Sequence, residues 1–273
     1  MGPIAFIRSL LRLLSGKPNI PASLKDNALL QVIYHRRSIR SFTNQPILED
    51  EFTAILEAGR LAPSTVNLQS WSFAVFTGDS WHATFGHSIP FRAQRAVIIM
   101  GDMHRVRTLG IDFPQSSLVD YTTAVMNASL AAMNMNLAAE ALGISSVMLS
   151  ETGRSGLLDT AYLKDVLCLP EQVFPIMTIV FGYPRGEYPP LPPKLPLQTV
   201  CFSGKYQEPN ASIMQDWLAQ MVAGYKASHI TSSFDAQLKV YQKKIAPAEI
   251  DLENMVYGGH TDKVRADRYP MKS

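Results

Sequence analysis

The sequence predicts a mixed fold in which helices and strands share a single large core. Its 273 residues are 47% hydrophobic and 18% charged, which is enough apolar material for such a core. Four short apolar runs have the composition of buried strands, and helical patterns separate them. The longest helical pattern, residues 118–142, is rich in Ala and Met. We therefore expect one large domain or one intertwined unit.

The strands are predicted from runs of Val, Ile, Phe and Met that end at turn residues. They are SFAVFT at 72–77, AVIIM at 96–100, SSVML at 145–149 and FPIMTIVF at 174–181. Apolar residues at helical spacing predict helices that begin or end near 24–34, 49–62, 118–142, 155–167, 213–225 and 234–246. Segments 81–91 and 101–113 are expected to be irregular. The helix at 118–142 has no polar stripe, so we expect burial on every side, at the molecular centre or at a subunit interface.

Charge and neutral hydrogen-bonding groups are separated along the stretch 36–73. Arg36, Arg37 and Arg40 lie close together, with Ser38 between them. Planar guanidinium groups bind phosphate oxygens through paired hydrogen bonds. The first end of this stretch therefore predicts a site for a dianionic phosphate.

The second end of the stretch is an amide-rich turn. Ser64, Asn67 and Gln69 follow a predicted helix and precede the first strand. Amide side chains both donate and accept, which suits a heterocycle with donors and acceptors on its edge. Two further candidates follow later in the chain, a polar turn at Ser150 and Glu151 after the third strand, and Lys194 within a proline-dense loop.

Composition argues against several other classes of function. The net charge of +2 is mild and the basic residues are dispersed, so nucleic-acid binding has little support. His82 and His87 lack neighbouring carboxylates or thiols, so no metal site is predicted. Cys168 and Cys201 are far apart, which suggests buried thiols in a reducing compartment and a cytoplasmic location.

The chain divides by sequence into an amphipathic extension and linker at 1–22, a central domain at 23–210 and a helical arm at 211–273. Apolar residues of the extension share one helical face that also carries two arginines; they are Ile4, Ile7, Leu11 and Leu14, with Arg8 and Arg12. Two roles stay open for this helix. It packs on the protein or a partner subunit, or it makes weak membrane-surface contact through residues 4–14.

Several motifs in this order resemble the FMN-dependent nitroreductase family. They are Arg-Arg-Ser-x-Arg-x-Phe at 36–42, Pro-Ser-x-x-Asn-x-Gln-x-Trp at 63–71, a Gly-Ile strand start at 143, Phe-Gly-Tyr-Pro at 181–184 and Lys-Leu-Pro at 194–196. The resemblance covers about residues 28–225 and is closest to the NADPH-preferring, flavin-reductase-like branch. It implies an α+β fold with a mainly antiparallel sheet flanked by helices, in an intertwined homodimer with FMN at the interface.

The resemblance also implies roles for particular residues. Arg36, Arg37, Ser38 and Arg40 would hold the FMN phosphate and ribityl chain, and Ser64, Asn67 and Gln69 would contact the flavin. The turn formed by Met148, Leu149, Ser150 and Glu151 would present backbone amides near flavin N5, and Lys194 would help to hold the phosphate. This branch often has a Gly-Gly pair where this chain has Ser150 and Glu151.

The implied activity is ping-pong electron transfer from NADPH or NADH to nitroaromatics, quinones or flavins. The branch grips the 2′-phosphate of NADPH with arginines, but the corresponding segment here, 225–234, offers only Lys226 and His229. Both nicotinamides therefore stay open. Two alternatives remain: another flavoenzyme on the same scaffold, such as a dehalogenase or dehydrogenase, or a non-catalytic flavin-binding, membrane-docking protein.

Overall fold

The centre of the fold is a four-stranded antiparallel sheet. The structure, a computed structural model, describes residues 3–15, 20–110, 116–150, 159–229 and 233–258. The strands are β1 (Trp71–Thr77), β2 (Arg95–Asp102), β3 (Ser145–Leu149) and β4 (Val173–Gly182). Their order across the sheet is β1-β2-β4-β3, and every neighbouring pair is antiparallel. The antiparallel sheet and all four strands are thus confirmed.

Helices precede, connect and follow these strands. They are α1 (Pro3–Ser15), α2 (Ala28–His35), α3 (Glu49–Arg60), α4 (Gly78–Phe85), α5 (His104–Arg107), α6 (Ser117–Ala141), α7 (Thr160–Val166), α8 (Leu197–Val200), α9 (Ala211–Ser228) and α10 (Phe234–Tyr257). The long helix α6 and the helix α3 pack on one face of the sheet, where Ile55 and Met135 are fully buried. On the other face, Trp81 of α4 and Leu163 of α7 are fully buried.

The close approach of α6 to the sheet depends on a glycine in β2. A Cβ atom added at Gly101 would lie 2.8 Å from the Cβ of Ala124 and 3.2 Å from its backbone carbon. Real Cβ atoms do not approach other atoms so closely, and the backbone of α6 cannot give way as a flexible side chain can. The Ala-rich composition of α6 therefore serves tight packing against β2.

The prediction that α6 is buried on all sides is wrong for the single chain. One face, which we call the α6 apolar face, is exposed and consists of Val119, Met126, Leu130 and Met133. These residues recur at intervals of three, four and seven, so they form one stripe along the helix. Sheet and α3 cover the opposite side, and none of the residues that the structure describes covers the stripe.

Several local predictions need correction. Residues 81–91 are not all irregular, because the Thr77 hydroxyl caps a helix that continues to Phe85. Likewise, residues 101 and 102 extend β2, and α5 follows them. Both cysteines, Cys168 and Cys201, are exposed rather than buried. The predicted helix at 155–167 is α7, which is described from Thr160; residues 155–158 lie outside the described part of the chain.

Two compact units are distinguished by their internal contacts. One consists of Met1–Lys25 with Pro189–Lys243, and the other of Asp26–Tyr188 with Lys244–Ser273. The first contains α1 packed on α9, and the second contains the sheet. The three-part division by sequence stays a prediction. Among the described residues, no helix is long and apolar enough to cross a bilayer.

We predict that Thr178→Val stabilises the protein. Thr178 is fully buried in β4 between Leu149 and Ile98 on the adjacent strands, and its hydroxyl has no hydrogen-bond partner among the residues that the structure describes. A buried hydroxyl without a partner is costly, and valine has nearly the same shape, so the free energy of unfolding should rise by about 1 kcal/mol. Urea denaturation measures the change. Thr160→Val is the control, because Thr160 is equally buried but not without a partner, and no gain is expected there.

Candidate functional site

The arginine segment lies against the outer edge of the sheet. Ser38 forms a parallel bridge with Ser146 of β3, and the amide of Ile39 donates to the Ser146 carbonyl over 3.2 Å. On its other side the Ser146 hydroxyl donates to the side-chain carbonyl of Asn136 in α6. Sheet and helix therefore fix the backbone of the segment from Arg36 to Arg40.

The guanidinium group of Arg37 caps the C-terminal end of helix α2, which ends at His35. Its Nη1 donates to the carbonyl oxygens of Tyr34, Arg36 and His35 at 2.7, 2.8 and 3.0 Å, which are acceptors left open at the end of the helix. Its Nε is buried and has no hydrogen-bond partner in the described part of the chain. Burial lowers the pKa of Arg37, and the charge of Arg36 lowers it further. An anion at Nε would relieve both effects, so this donor fits a phosphate oxygen.

A polar network lies beside Arg37. The carboxylate of Glu140, which is buried on α6, bonds to His35 Nδ1 over 3.1 Å and accepts from the Tyr188 hydroxyl over 3.3 Å. Tyr188 is also 2.7 Å from the Ser145 hydroxyl and stacks on the ring of His35. Burial is the main cause that raises the pKa of Tyr188. The negative charge of Glu140 partly offsets the positive charge of Arg37.

The other predicted residues of this edge differ in exposure. Arg36 and Ser38 are half-buried, and Arg40 is exposed. Met148 and Leu149 lie within β3 and pair with β4, so only exposed Ser150 stands at the turn. Glu151 lies outside the described residues. Lys194 is exposed in the unit that contains α9, and its relation to this edge stays a prediction.

The amide-rich turn has an unusual backbone. Val66, Asn67 and Gln69 have φ values of 49°, 56° and 50°, in the left-handed region that side chains other than Gly seldom adopt. The hydroxyl of Ser64 accepts from the Gln69 amide over 2.9 Å, so it stabilises the turn itself. Asn67 and Gln69 are exposed. Strained backbone of this kind persists where the surroundings fix it, and it clusters at binding sites.

Asn127 of α6 fixes this turn, which the sequence did not predict. Its side-chain carbonyl accepts from the Thr65 amide at 3.1 Å and from the Thr65 hydroxyl at 3.3 Å, and its Nδ2 donates to the Ser70 hydroxyl at 2.8 Å. Asn127 and Asn136 are nine residues apart, two and a half helical turns, so they leave α6 on opposite sides. Helix α6 therefore supports both ends of the candidate site.

We predict that Asn127→Ala loosens the turn. Asn127 is buried, and its loss leaves the Thr65 amide and the Ser70 hydroxyl without their partner, at a cost of about 2 kcal/mol in the free energy of unfolding. Asn134→Ala is the matched control on the same helix, because half-buried Asn134 donates a hydrogen bond to the Ala58 carbonyl over 3.1 Å and does not support the turn. Chemical denaturation compares the two. Equal decreases in the free energy of unfolding of both variants would contradict the role of Asn127.

The two ends of the site are far apart on one chain. Ser38 of the arginine segment bridges to Ser146 of β3, whose register partner in β4 is Phe181. Next to the turn, the Ser70 carbonyl accepts from the Asp102 amide of β2, and the register partner of Asp102 in β4 is Val173. Eight residue steps along a strand correspond to about 26 Å. A single FMN molecule is shorter than this separation. Within one chain, the stretch 36–73 therefore does not surround one ligand.

A shallow cavity adjoins the turn. It has a volume of about 340 Å³, and Gln69, Trp71 and Phe73 contribute to its lining with Arg60 and Arg105 at its sides. Arg60 pairs with Glu57 over 2.7 Å, and Arg105 pairs with buried Asp102 over 3.2 Å. Among the described residues, no group of three His, Cys, Asp or Glu side chains is placed to hold a metal ion.

The fold and these polar ends define an α+β protein with an arginine-rich segment at one sheet edge and an amide-rich turn near the other. Comparison with known proteins gives the family. The model of the nitroreductase family matches residues 33–183, more than half of the chain, so the chain belongs to the nitroreductase family.

Named relatives and solved structures agree with this assignment. The chain is 28% identical over 205 residues to an NADPH-flavin oxidoreductase of Vibrio harveyi, which covers 73% of this chain and 83% of the relative. It is 24% identical to an oxygen-insensitive NADPH nitroreductase of Salmonella typhimurium, over 72% of this chain and 82% of the relative. The fold is similar to that of NfrA2 from Bacillus megaterium, with a TM-score of 0.71 at 21% identity, over 85% of this chain and 97% of that one.

Proposed function

We propose that this protein is an FMN-dependent NAD(P)H oxidoreductase that reduces nitroaromatics, quinones or flavins by a ping-pong cycle. The observation that carries the proposal is the buried Nε of Arg37, which has no partner among the described residues and lies in the part of the chain that matches the family model. The names of the relatives, an NADPH-flavin oxidoreductase and an NADPH nitroreductase, support the same reaction class.

The residues divide the work of binding between them. Arg37 and Arg40 would hold the phosphate, with Arg36 and Ser38 beside it. Asn67 and Gln69 would offer amides to the edge of the ring system, and the backbone at Ser150 would donate nearby. When bound, FMN supplies the two-electron redox chemistry between nicotinamide and acceptor. The protein supplies placement and positive charge, and no side chain is required as a nucleophile.

We propose further that the site is shared by two copies of the chain in a homodimer. The separation of about 26 Å between the two polar ends supports this, because the arginine segment of one copy can meet the turn of the other. The α6 apolar face supports it as well, since a stripe of large apolar side chains is typical of a subunit interface. The site would then occur twice in each dimer.

Both nicotinamide cofactors are proposed as donors. In the segment where the branch carries arginines, Lys226 lies 5.4 Å over the ring of Phe6, and His229 stacks on Tyr225 with centroids 4.0 Å apart. Neither replaces a bidentate guanidinium for a 2′-phosphate. We therefore expect NADH and NADPH to support turnover within about tenfold of each other, because no strong phosphate discrimination is built here.

An absorption and turnover experiment tests the function. Purified protein should be yellow, should bleach anaerobically with NADH or NADPH, and should regain its colour on addition of a nitroaromatic or a quinone. A panel that adds halogenated aromatics separates a dehalogenase from a nitroreductase. Bound FMN that neither nicotinamide reduces would contradict the proposal and indicate a non-catalytic flavin protein. The cytoplasmic location stays a proposal, which cell fractionation tests.

A further inference from the structure

Helix α1 turns its apolar side outward. It packs on α9 through half-buried Phe6 and buried Ser9, within one compact unit. Three of the four residues of the predicted apolar stripe point away from this contact, because Ile4, Ile7 and Leu11 are 77, 56 and 61% exposed. They form one exposed surface of the helix together with Arg8 and Arg12. The side chain of the fourth, Leu14, lies outside the described part of the chain. Among the described residues of this unit, none gives the stripe the cover that amphipathic helices normally find on their own protein.

Positive charge surrounds this stripe. Helix α1 contains no acidic residue, and Arg8 is exposed beside the apolar stripe. Arg12 is also exposed and pairs with Asp216 of α9 over 2.5 Å. Lys226 of α9 is exposed as well, and its ammonium group lies over the ring of Phe6. Apolar side chains flanked by cations on one helix are typical of helices that lie at the surface of an anionic membrane.

The net charge of the whole compact unit also favours binding to an anionic surface. Its segments, 1–25 and 189–243, contain nine Lys and Arg but three Asp and Glu, a net charge of +6. The remaining residues contain 16 basic and 20 acidic side chains, a net charge of −4, so the total of +2 hides this asymmetry. A polybasic unit is attracted to anionic lipid and is repelled by other cationic surfaces.

We propose that α1 binds reversibly to the surface of anionic lipid membranes. Ile4, Ile7 and Leu11 enter the boundary between head groups and acyl chains, and Arg8 and Arg12 contact lipid phosphates. A second copy of α1 fits this face less well, because it would bring Arg8, Arg12 and another unit of charge +6 against the first. The inference is independent of the flavin site. It places an oxidoreductase close to acceptors that dissolve in lipid.

Vesicle sedimentation tests the proposal with the full chain. The probes are phosphatidylcholine vesicles with about 30% phosphatidylglycerol, and vesicles of phosphatidylcholine alone. We expect at least about tenfold stronger partitioning into the anionic vesicles, and its loss in about 0.5 M salt. The variant Ile4→Ser, Ile7→Ser, Leu11→Ser should lower partitioning about tenfold or more without changing the FMN content.

One control variant removes apolar side chains of similar exposure elsewhere in the chain, and a second variant changes only the charge of α1. Leu109→Ser, Leu197→Ser, Ile250→Ser removes three other exposed apolar side chains, at 60, 72 and 60% exposure, and should bind as wild type. If the first variant does not fold, Arg8→Glu alone should weaken binding to anionic vesicles only. Equal binding by the α1 variants and wild type, or no binding by wild type, would overturn the proposal. If wild type does not bind vesicles and the triple α1 variant loses self-association in light scattering, the apolar stripe of α1 binds a second copy of the chain instead.

Discussion

The double variant Arg37→Ala, Arg40→Ala is expected to fold and to lose nearly all its FMN. Hydrogen bonds to charged groups contribute about 1.5 to 3 kcal/mol each, so losing two should weaken FMN binding by about a hundredfold or more. Equilibrium dialysis of the apoprotein against FMN measures this. Wild-type affinity in the double variant would show that the phosphate binds elsewhere.

Arg37 has a second role that the experiment must separate. Because its Nη1 closes the end of α2 on three carbonyl oxygens, its removal also destabilises that helix end. Arg37→Lys keeps the charge and a donor but removes the planar guanidinium. We expect this variant to unfold nearly as wild type while binding FMN at least about tenfold more weakly. Unchanged FMN affinity would reduce Arg37 to a helix cap.

A second large effect is expected on the α6 apolar face. Met126→Glu with Leu130→Glu places two carboxylates on a stripe that we propose is buried between two copies, where twofold symmetry doubles their number. Burying unpaired charges costs several kcal/mol, so the dimer should dissociate at micromolar concentration. Light scattering should report a monomer. FMN should be lost together with the dimer.

The control for this variant places the same charges elsewhere. Leu109→Glu with Leu197→Glu alters two exposed apolar side chains outside α6 and should leave both the oligomeric state and the FMN content unchanged. A monomeric α6 variant that keeps its FMN would contradict a shared site. A variant that stays dimeric would move the interface to another surface.

The strands could be predicted closely because each is a continuous apolar run. The run 174–181 became β4 with one residue added at each end, and 72–77 gained only Trp71. Helix α4 was missed because Gly78 and Asp79 are typical turn residues. At its N-cap, the Ser80 amide donates to the Thr77 hydroxyl. The short polar sequence that forms this cap also occurs in turns that begin no helix.

The surface of α6 could not be predicted from composition. Ala, Met and Leu occur on both its covered and its exposed sides, so no contrast marks the α6 apolar face. For α1 the sequence predicted the apolar stripe but left its cover open, since periodicity identifies an apolar face but not what covers it. Which side packs depends on α9, more than 200 residues away in sequence.

At the site, the sequence identified the segments but not their supports. The arginines and the amide turn were found because their residue types and spacing match a motif. Asn127 and Asn136 were not, although asparagines within an Ala- and Met-rich helix are a usable signal, since buried amides need partners. Their partners, Thr65, Ser70 and Ser146, are brought near only by the fold.

The central claim is that one FMN lies between the arginine segment of one chain and the amide turn of another. A mixed dimer tests it most directly. One chain carries Arg37→Ala, Arg40→Ala, and the other carries Asn67→Gly, Gln69→Gly, which suit the positive φ values but remove the amides. Each variant alone should lack most of its FMN.

Co-expression with two different affinity tags isolates the heterodimer, in which one shared site is intact and the other is doubly disabled. The measurement is the FMN content of this heterodimer by absorbance after denaturation. We predict about one FMN per heterodimer, half the content of wild type, because the two chains complement each other across the twofold axis. A heterodimer with no more FMN than its two parent variants would place each site within a single chain and contradict the claim.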